Sequence, residues 1–166
     1  QQEASKVLNF STQKTMRVAQ QLYEGIDIRG NGTVGLITYL RTDSTRISEE
    51  ADQAARTYIQ DSYGEKYMAA AAKETKSGKK IQDAHEAIRP SDITRTPSML
   101  KESLSRDQFR LYQLIWKRFT ASRMANAVYE TTSVRIEAGG FLFTVAASKL
   151  AFDGFLSVYT QEGDEA

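Results

Sequence analysis

Residues 34–45 read Val34-Gly35-Leu36-Ile37-Thr38-Tyr39-Leu40-Arg41-Thr42-Asp43-Ser44-Thr45. An apolar run ends in Tyr39, and a polar cluster begins at Arg41. Side chains at i and i+2 share a face of an extended segment, so Tyr39 and Arg41 are expected to point into one site. A phenol beside a guanidinium is one way to build a nucleophile for phosphate chemistry. An ordinary phenol, with a pKa of about 10, is ionised about one time in a thousand at pH 7, a deficit of about 4 kcal/mol. A fixed cation favours the phenolate and can hold a phosphate through two hydrogen bonds. A packing role fits the same position. The chain has eight tyrosines, and a tyrosine closing an apolar strand commonly fills a core or covers a sheet face. Spacing alone leaves both readings open.

The stretch from Gly35 to Thr45 resembles the active-site tyrosine segment of bacterial type IA DNA topoisomerases. A second stretch, Asp83-Ala84-His85-Glu86-Ala87-Ile88-Arg89-Pro90-Ser91, resembles another signature of that family. A third, Leu111-Tyr112-Gln113-Leu114-Ile115-Trp116 with Arg118-Phe119 after it, resembles the long helix that follows. The first two stand in the family's order and at about its spacing, and the similarity covers nearly the whole chain. Leu40 stands where Met is common in the family, a volume-conserving difference.

The resemblance implies an α+β chain. Residues 1–128 would form a mainly helical, orthogonal-bundle domain bearing the tyrosine (domain III of the family). Residues 129–166 would be a partial antiparallel β segment of the arch (domain II). It also implies a reaction. Tyr39 would attack one DNA strand and form a 5′-phosphotyrosyl bond, the other strand would pass, and the break would be resealed. Negatively supercoiled DNA is relaxed in this way without ATP. Arg41 is assigned by resemblance to the scissile phosphate and the phenolate. His85, the single histidine, is either a hydrogen-bonding residue on a helix face or, by resemblance, a group near the active site that bears on DNA binding. Arg89 either touches a phosphate or caps a short helix, and Glu86 is a candidate surface carboxylate. Asp43, Ser44 and Thr45 are expected first as turn and capping residues, and second as DNA contacts.

The family's Toprim domain, with its acidic magnesium ligands, has no counterpart in this sequence, and residues 1–129 contain no Asp-x-Asp pair to replace it. Mg2+ is therefore expected in the full-length enzyme and not on this piece. The expected partners are single-stranded DNA and the remaining domains of a parent chain, in a cytoplasmic, nucleoid-associated setting. The chain opens Gln1-Gln2-Glu3 and family members are several times longer, so an internal piece of a larger enzyme, inactive alone, is expected. The competing reading is a helix-turn-helix-like DNA-binding module in which Tyr39 is structural.

Composition bounds these readings. The 166 residues allow one domain, or one and part of another. With 40% apolar and 26% charged residues the chain has an ordinary globular composition. No apolar run approaches the length of a membrane span. Absence of cysteine excludes disulfides, thiolate-bound zinc and thiol catalysis within these residues. Net charge is +1, but residues 1–129 hold 20 Lys/Arg against 15 Asp/Glu, a balance of +5, and residues 130–166 hold 2 against 6, a balance of −4. A DNA-facing surface belongs in the first part.

The patterning predicts a short helix over residues 1–9 and a second helix capped by Ser11 or Thr12 and stopped by Gly25. Asn31-Gly32 predicts a hairpin pairing Ile26–Arg29 with Thr33–Tyr39. Ser48 should cap a helix that ends at Gly64. Residues 72–82 read as a loop, and Asp83–Arg89 as a short helix stopped by Pro90. Ser105 and Gln108 form a capping box opening the strongest helix. Its stripe of Tyr112, Ile115, Trp116 and Phe119 is read as core, in preference to a base-stacking platform. From Val128 the period falls to two, with a turn at Gly139-Gly140 and a third strand expected around Phe155–Tyr159. The apolar groups of residues 129–160 are expected to seek a partner, either the helical part or a second copy in a dimer.

Overall fold

The computed structural model describes residues 1–41, 43–70 and 85–160. Helix α1 (Gln2–Leu8) leads into α2 (Thr12–Glu24), whose first turn is closed by the Ser11 hydroxyl accepting from the Lys14 amide at 3.2 Å. The chain leaves α2 at Gly25 and makes a small hairpin of β1 (Ile26–Ile28) and β2 (Gly32–Val34), paired Ile26 to Val34. Helix α3 (Glu49–Tyr63) starts at the Ser48 cap and ends at Gly64. A 3-10 turn follows at Glu65–Tyr67, and farther along the chain α4 (Pro97–Leu100) precedes α5 (Arg106–Ser122), which opens on the reciprocal Ser105–Gln108 capping box.

The core lies where α2 and α5 pack, with Leu22, Leu36, Ile59 and Tyr112 among its fully buried side chains. Two core aromatics also use their polar ends. The Tyr112 hydroxyl donates to the Arg95 carbonyl at 2.6 Å, and the Trp116 indole N–H donates to the Ile93 carbonyl at 2.9 Å. A buried aromatic with a polar tip needs such a partner. Here the partners strap residues 93–95 onto α5. The α5 stripe is thus core and presents no stacking surface.

Strands β3 (Val128–Ala138) and β4 (Phe141–Phe152) form one long antiparallel ribbon turning at Gly139-Gly140, both at positive φ. The register puts Val134 opposite Val145, Ile136 opposite Phe143 and Ala138 opposite Phe141 on one face. The other face carries Thr131 opposite Ser148 and Arg135 opposite Thr144. The ribbon's side chains are exposed, so it does not lie against the helical part of its own chain. Its base alone is anchored there, with the Phe152 ring 5.0 Å from that of Tyr67.

Three expectations of local structure are corrected. The predicted hairpin forms at its turn but stops at Val34, and Tyr39 is not on a ladder strand. Residues 85–89 are irregular, with a bend at Ile88, and not helical. Their backbone groups are taken by distant partners, which a single helical turn ahead of Pro90 cannot outcompete. The third strand is a 3-10 turn over Gly154–Ser157. Gly154 sits at φ 49, and a Cβ there would come within 2.5 Å of the Ala125 and Asn126 carbonyl oxygens. That close approach turns the chain inward, so Phe155 packs on the core and Val158 joins it. The loop expected at 72–82 and the start of the second motif, Asp83 and Ala84, lie outside the described residues.

Candidate active site

Residues 35–38 leave β2 extended and find a new neighbour. The Thr38 amide donates to the Arg89 carbonyl at 3.0 Å, and the Ser91 amide donates to the Leu36 carbonyl at 3.0 Å. The Thr38 hydroxyl donates to the Ala87 carbonyl at 2.8 Å and accepts from the Arg89 amide at 3.0 Å. On the far side of the loop, the Ala87 amide donates to the Arg46 carbonyl at 2.8 Å. Residues 87–91 therefore tie together the incoming and outgoing limbs of the loop that carries Tyr39. The two sequence motifs form one structural unit.

Within that loop the alternation expected of an extended segment holds. Leu40 is buried, and Tyr39 and Arg41 on either side of it are exposed. The Tyr39 ring is 42% exposed. It meets Tyr23 edge to face, with centroids 5.6 Å apart, and lies tilted beside His85 at 5.9 Å. Its hydroxyl has no hydrogen-bond partner among the described residues. Arg41 likewise makes no ion pair among the described residues. Three other tyrosines, Tyr67, Tyr112 and Tyr159, differ. The Tyr67 hydroxyl donates to Asp153 and that of Tyr159 to Glu3, each at 2.8 Å. Burial drives the Tyr112 phenol far above its ordinary pKa. The Tyr39 phenol is thus exposed and uncommitted among the described residues, with Arg41 two residues on in sequence.

The remaining candidates divide. His85 stands beside Tyr39 on irregular backbone, not on a helix face, and its carbonyl lies 3.5 Å from the Arg46 Nε. Arg89 has no helix to cap. It pairs with Glu86 at 2.7 Å and donates to the Pro90 carbonyl at 3.0 Å, so it braces the second motif from within. Glu86 is consequently not a free surface carboxylate. Burial by itself would raise its pKa, but the Arg89 guanidinium, the Ser48 hydroxyl and Arg46 together hold it below the usual carboxylate range. The Ser44 hydroxyl accepts from the Arg46 amide at 3.1 Å, a turn role as expected. Asp43 is exposed and lines, with Leu40, Ile88, Met16 and Ile115, an open cleft of about 830 Å³ between the loop and α5. Thr45 is exposed, and Thr42 lies outside the described residues.

A family model described as DNA topoisomerase matches residues 1–166. The chain belongs to the bacterial type IA DNA topoisomerase family. The full-length topoisomerase I of Thermotoga maritima is similar to it, with 41% sequence identity and a TM-score of 0.84. That match covers 100% of this chain and 26% of the Thermotoga chain, so the topoisomerase sequence described here spans about a quarter of that enzyme's length. Among the described residues of this topoisomerase chain, no group of three or more Asp, Glu or His side chains is placed to hold a metal ion. No helix in these residues is long and apolar enough to cross a membrane.

Sequence reasoning passed over Tyr23 and Thr38. Tyr23 reads as one more apolar position of α2. The hairpin ladder ends at Ile26 and Val34, and Tyr23 is brought beside the tyrosine segment by a contact beyond it, the Leu36 amide donating to the Leu22 carbonyl at 2.8 Å.

Proposed function

We propose that this chain is the nucleophile-bearing part of a type IA DNA topoisomerase. In this reading residues 1–128 carry the tyrosine and residues 129–166 contribute to the arch. The Tyr39 oxygen attacks a phosphodiester of a single DNA strand, forming a phosphorus–oxygen bond as its proton leaves. The bond to the 3′ oxygen of the neighbouring sugar breaks, and that oxygen takes up a proton. The strand is left with a 5′-phosphotyrosyl link and a free 3′ hydroxyl. The other strand passes, and attack by the 3′ hydroxyl restores the phosphodiester and the phenol. The covalent link conserves the phosphodiester bond, so resealing needs no ATP.

Arg41, one residue beyond the buried Leu40, is positioned to hold the phosphate and to offset its developing charge. His85 borders the phenol and can contribute a hydrogen bond or charge at the same phosphate. The Mg2+ of the family would be held by acidic residues elsewhere in the parent chain. The parent is read as a cytoplasmic enzyme that relaxes negatively supercoiled DNA, with the single-stranded region as its substrate.

One observation carries this reading. The exposed Tyr39 ring lies 5.9 Å from that of His85, which enters from the second motif, in a loop pinned on both limbs. The test uses the full-length parent enzyme and labelled single-stranded DNA. Tyr39→Phe should abolish the covalent adduct while DNA binding largely persists. An adduct that survives in Tyr39→Phe would assign the nucleophile elsewhere.

A further inference from the structure

Tyr23 sits in the last turn of α2, and its ring is 38% exposed. It faces Tyr39 at 5.6 Å with an interplanar angle of 69°. This contact is fixed from below by the backbone. The Leu36 amide donates to the Leu22 carbonyl at 2.8 Å. Gly35 passes so close to the Tyr23 carbonyl oxygen that a Cβ on it would lie within 2.9 Å. The end of α2 and the start of the tyrosine segment are thus locked together, which fixes the spacing of the backbones that carry Tyr23 and Tyr39. His85 closes another side of the same ring at 5.9 Å.

A nucleophile on an exposed bend needs such walls. Tyr39 has no ladder neighbours, and an unconfined side chain would distribute itself over several staggered wells. Only one of them can aim the hydroxyl at an in-line phosphate. Holding that well raises the population of reactive geometries, while freeing the side chain spends binding energy on ordering it again. Edge-to-face contact between rings is directional, so a ring restrains orientation where an aliphatic group of similar bulk does not.

We propose that Tyr23 is a positioning residue for the cleavage step, acting through its ring on the orientation of Tyr39 and touching no reacting atom. This rests on the reading of Tyr39 as the nucleophile. The Tyr23 hydroxyl has no part in it.

The test is single-turnover formation of the covalent adduct by the full-length parent enzyme on a single-stranded oligonucleotide. The rate at saturating DNA and the half-saturating DNA concentration are read separately, alongside the melting temperature. Tyr23→Ala should slow the covalent step about fivefold and leave half-saturation unchanged. Tyr23→Phe, which keeps the ring, should stay close to the wild-type rate. Tyr23→Leu, which keeps bulk without a ring, should be slowed, and it reads the same quantity should the alanine variant fold poorly. A wild-type rate in Tyr23→Leu would overturn the proposal, as would a Tyr23→Phe variant slowed as far as Tyr23→Ala. A rise in half-saturation with an unchanged rate would make Tyr23 a DNA contact and overturn it too. Tyr39→Phe in the same assay separates the two readings, because an adduct there sinks the nucleophile assignment whatever Tyr23 does.

Discussion

Thr38 and Arg89, 51 residues apart in sequence, exchange two hydrogen bonds. The Thr38 amide donates to the Arg89 carbonyl and the Arg89 amide donates to the Thr38 hydroxyl, each at 3.0 Å. The same hydroxyl donates to the Ala87 carbonyl at 2.8 Å. One side chain therefore satisfies two backbone groups of a segment that has no secondary structure of its own. It does so one residue before Tyr39.

Thr38→Val keeps the shape and removes the hydroxyl, leaving the Ala87 carbonyl and the Arg89 amide without it. Leaving a partly buried amide and carbonyl short of hydrogen bonds costs about 1–3 kcal/mol. The expected outcome is a loss of stability in that range by urea unfolding, with faster amide exchange at residues 87–89. Thr38→Ser, which retains the hydroxyl, should recover most of it. A valine variant as stable as the parent would show that water replaces the lost contacts.

The contrast between this clamp and the helices explains what was legible in the sequence. Helix starts are written locally: Ser11, Ser48 and Ser105 each cap a helix through an amide three residues on, as their residue types predict. The α5 stripe and the Gly139-Gly140 turn are equally local. Residues 85–89 take their shape from Thr38 and Arg46, about 40–50 residues away, and no pattern within the segment records that. The 3-10 turn after the ribbon likewise depends on Gly154 meeting the Ala125 and Asn126 carbonyls. For the site, the motifs marked Tyr39 and His85 separately. Their adjacency needs the Thr38–Arg89 pairing, and the place of Tyr23 beside Tyr39 needs the Leu36–Leu22 hydrogen bond, contacts that no local pattern records.

Acid should weaken the fold through a specific carboxylate. Asp52 on α3 binds Arg56 at 2.8 Å and Arg123, just past α5, at 2.9 Å. Burial acts to raise its pKa, but the hydrogen bonds and charges of Arg56 and Arg123 outweigh that and hold it below the ordinary 3.8. A carboxyl depressed in the folded state contributes stability that is present above its unfolded pKa and lost as pH falls through its folded one. The contribution is thus intact above about pH 4 and declines below it. Asp52→Asn should lower stability at pH 7 by about 1 kcal/mol, two arginines losing their charged partner. It should also flatten the fall below pH 4. An unchanged acid limb in urea titrations would place the sensitivity at Glu86 or elsewhere.

Arg41 is expected to tolerate little change. Lysine keeps the charge but cannot make two parallel hydrogen bonds to one phosphate. In the full-length enzyme, Arg41→Lys should slow adduct formation by about tenfold or more, short of the roughly hundredfold or greater cost of removing a transition-state donor outright. Cleavage at the normal rate would remove Arg41 from the mechanism. The 166-residue chain alone, whose described residues supply no metal-binding cluster, should not relax supercoiled DNA with or without magnesium. Relaxation by the purified chain would show that the rest of the active site is dispensable.

The ribbon gives the last prediction. Val134, Ile136, Phe141, Phe143 and Val145 share one face, and all are exposed. Both strands also present unpaired edges, so the isolated chain has both an apolar face and a hydrogen-bonding template on offer. Self-association through residues 129–160 is expected. Truncation at residue 128 is a poor test, because Phe155 and Val158 beyond the ribbon belong to the core. The suitable variant replaces residues 130–151 with a short turn and retains residues 152–166. Light scattering should show the complete chain associating with rising concentration and the shortened one remaining monomeric. Two charged substitutions, Ile136→Lys and Phe143→Glu, should have the same effect while keeping the hairpin, since the pair is directly opposed and of opposite sign. A complete chain that stays monomeric at every concentration would show that the ribbon stands in water without a partner.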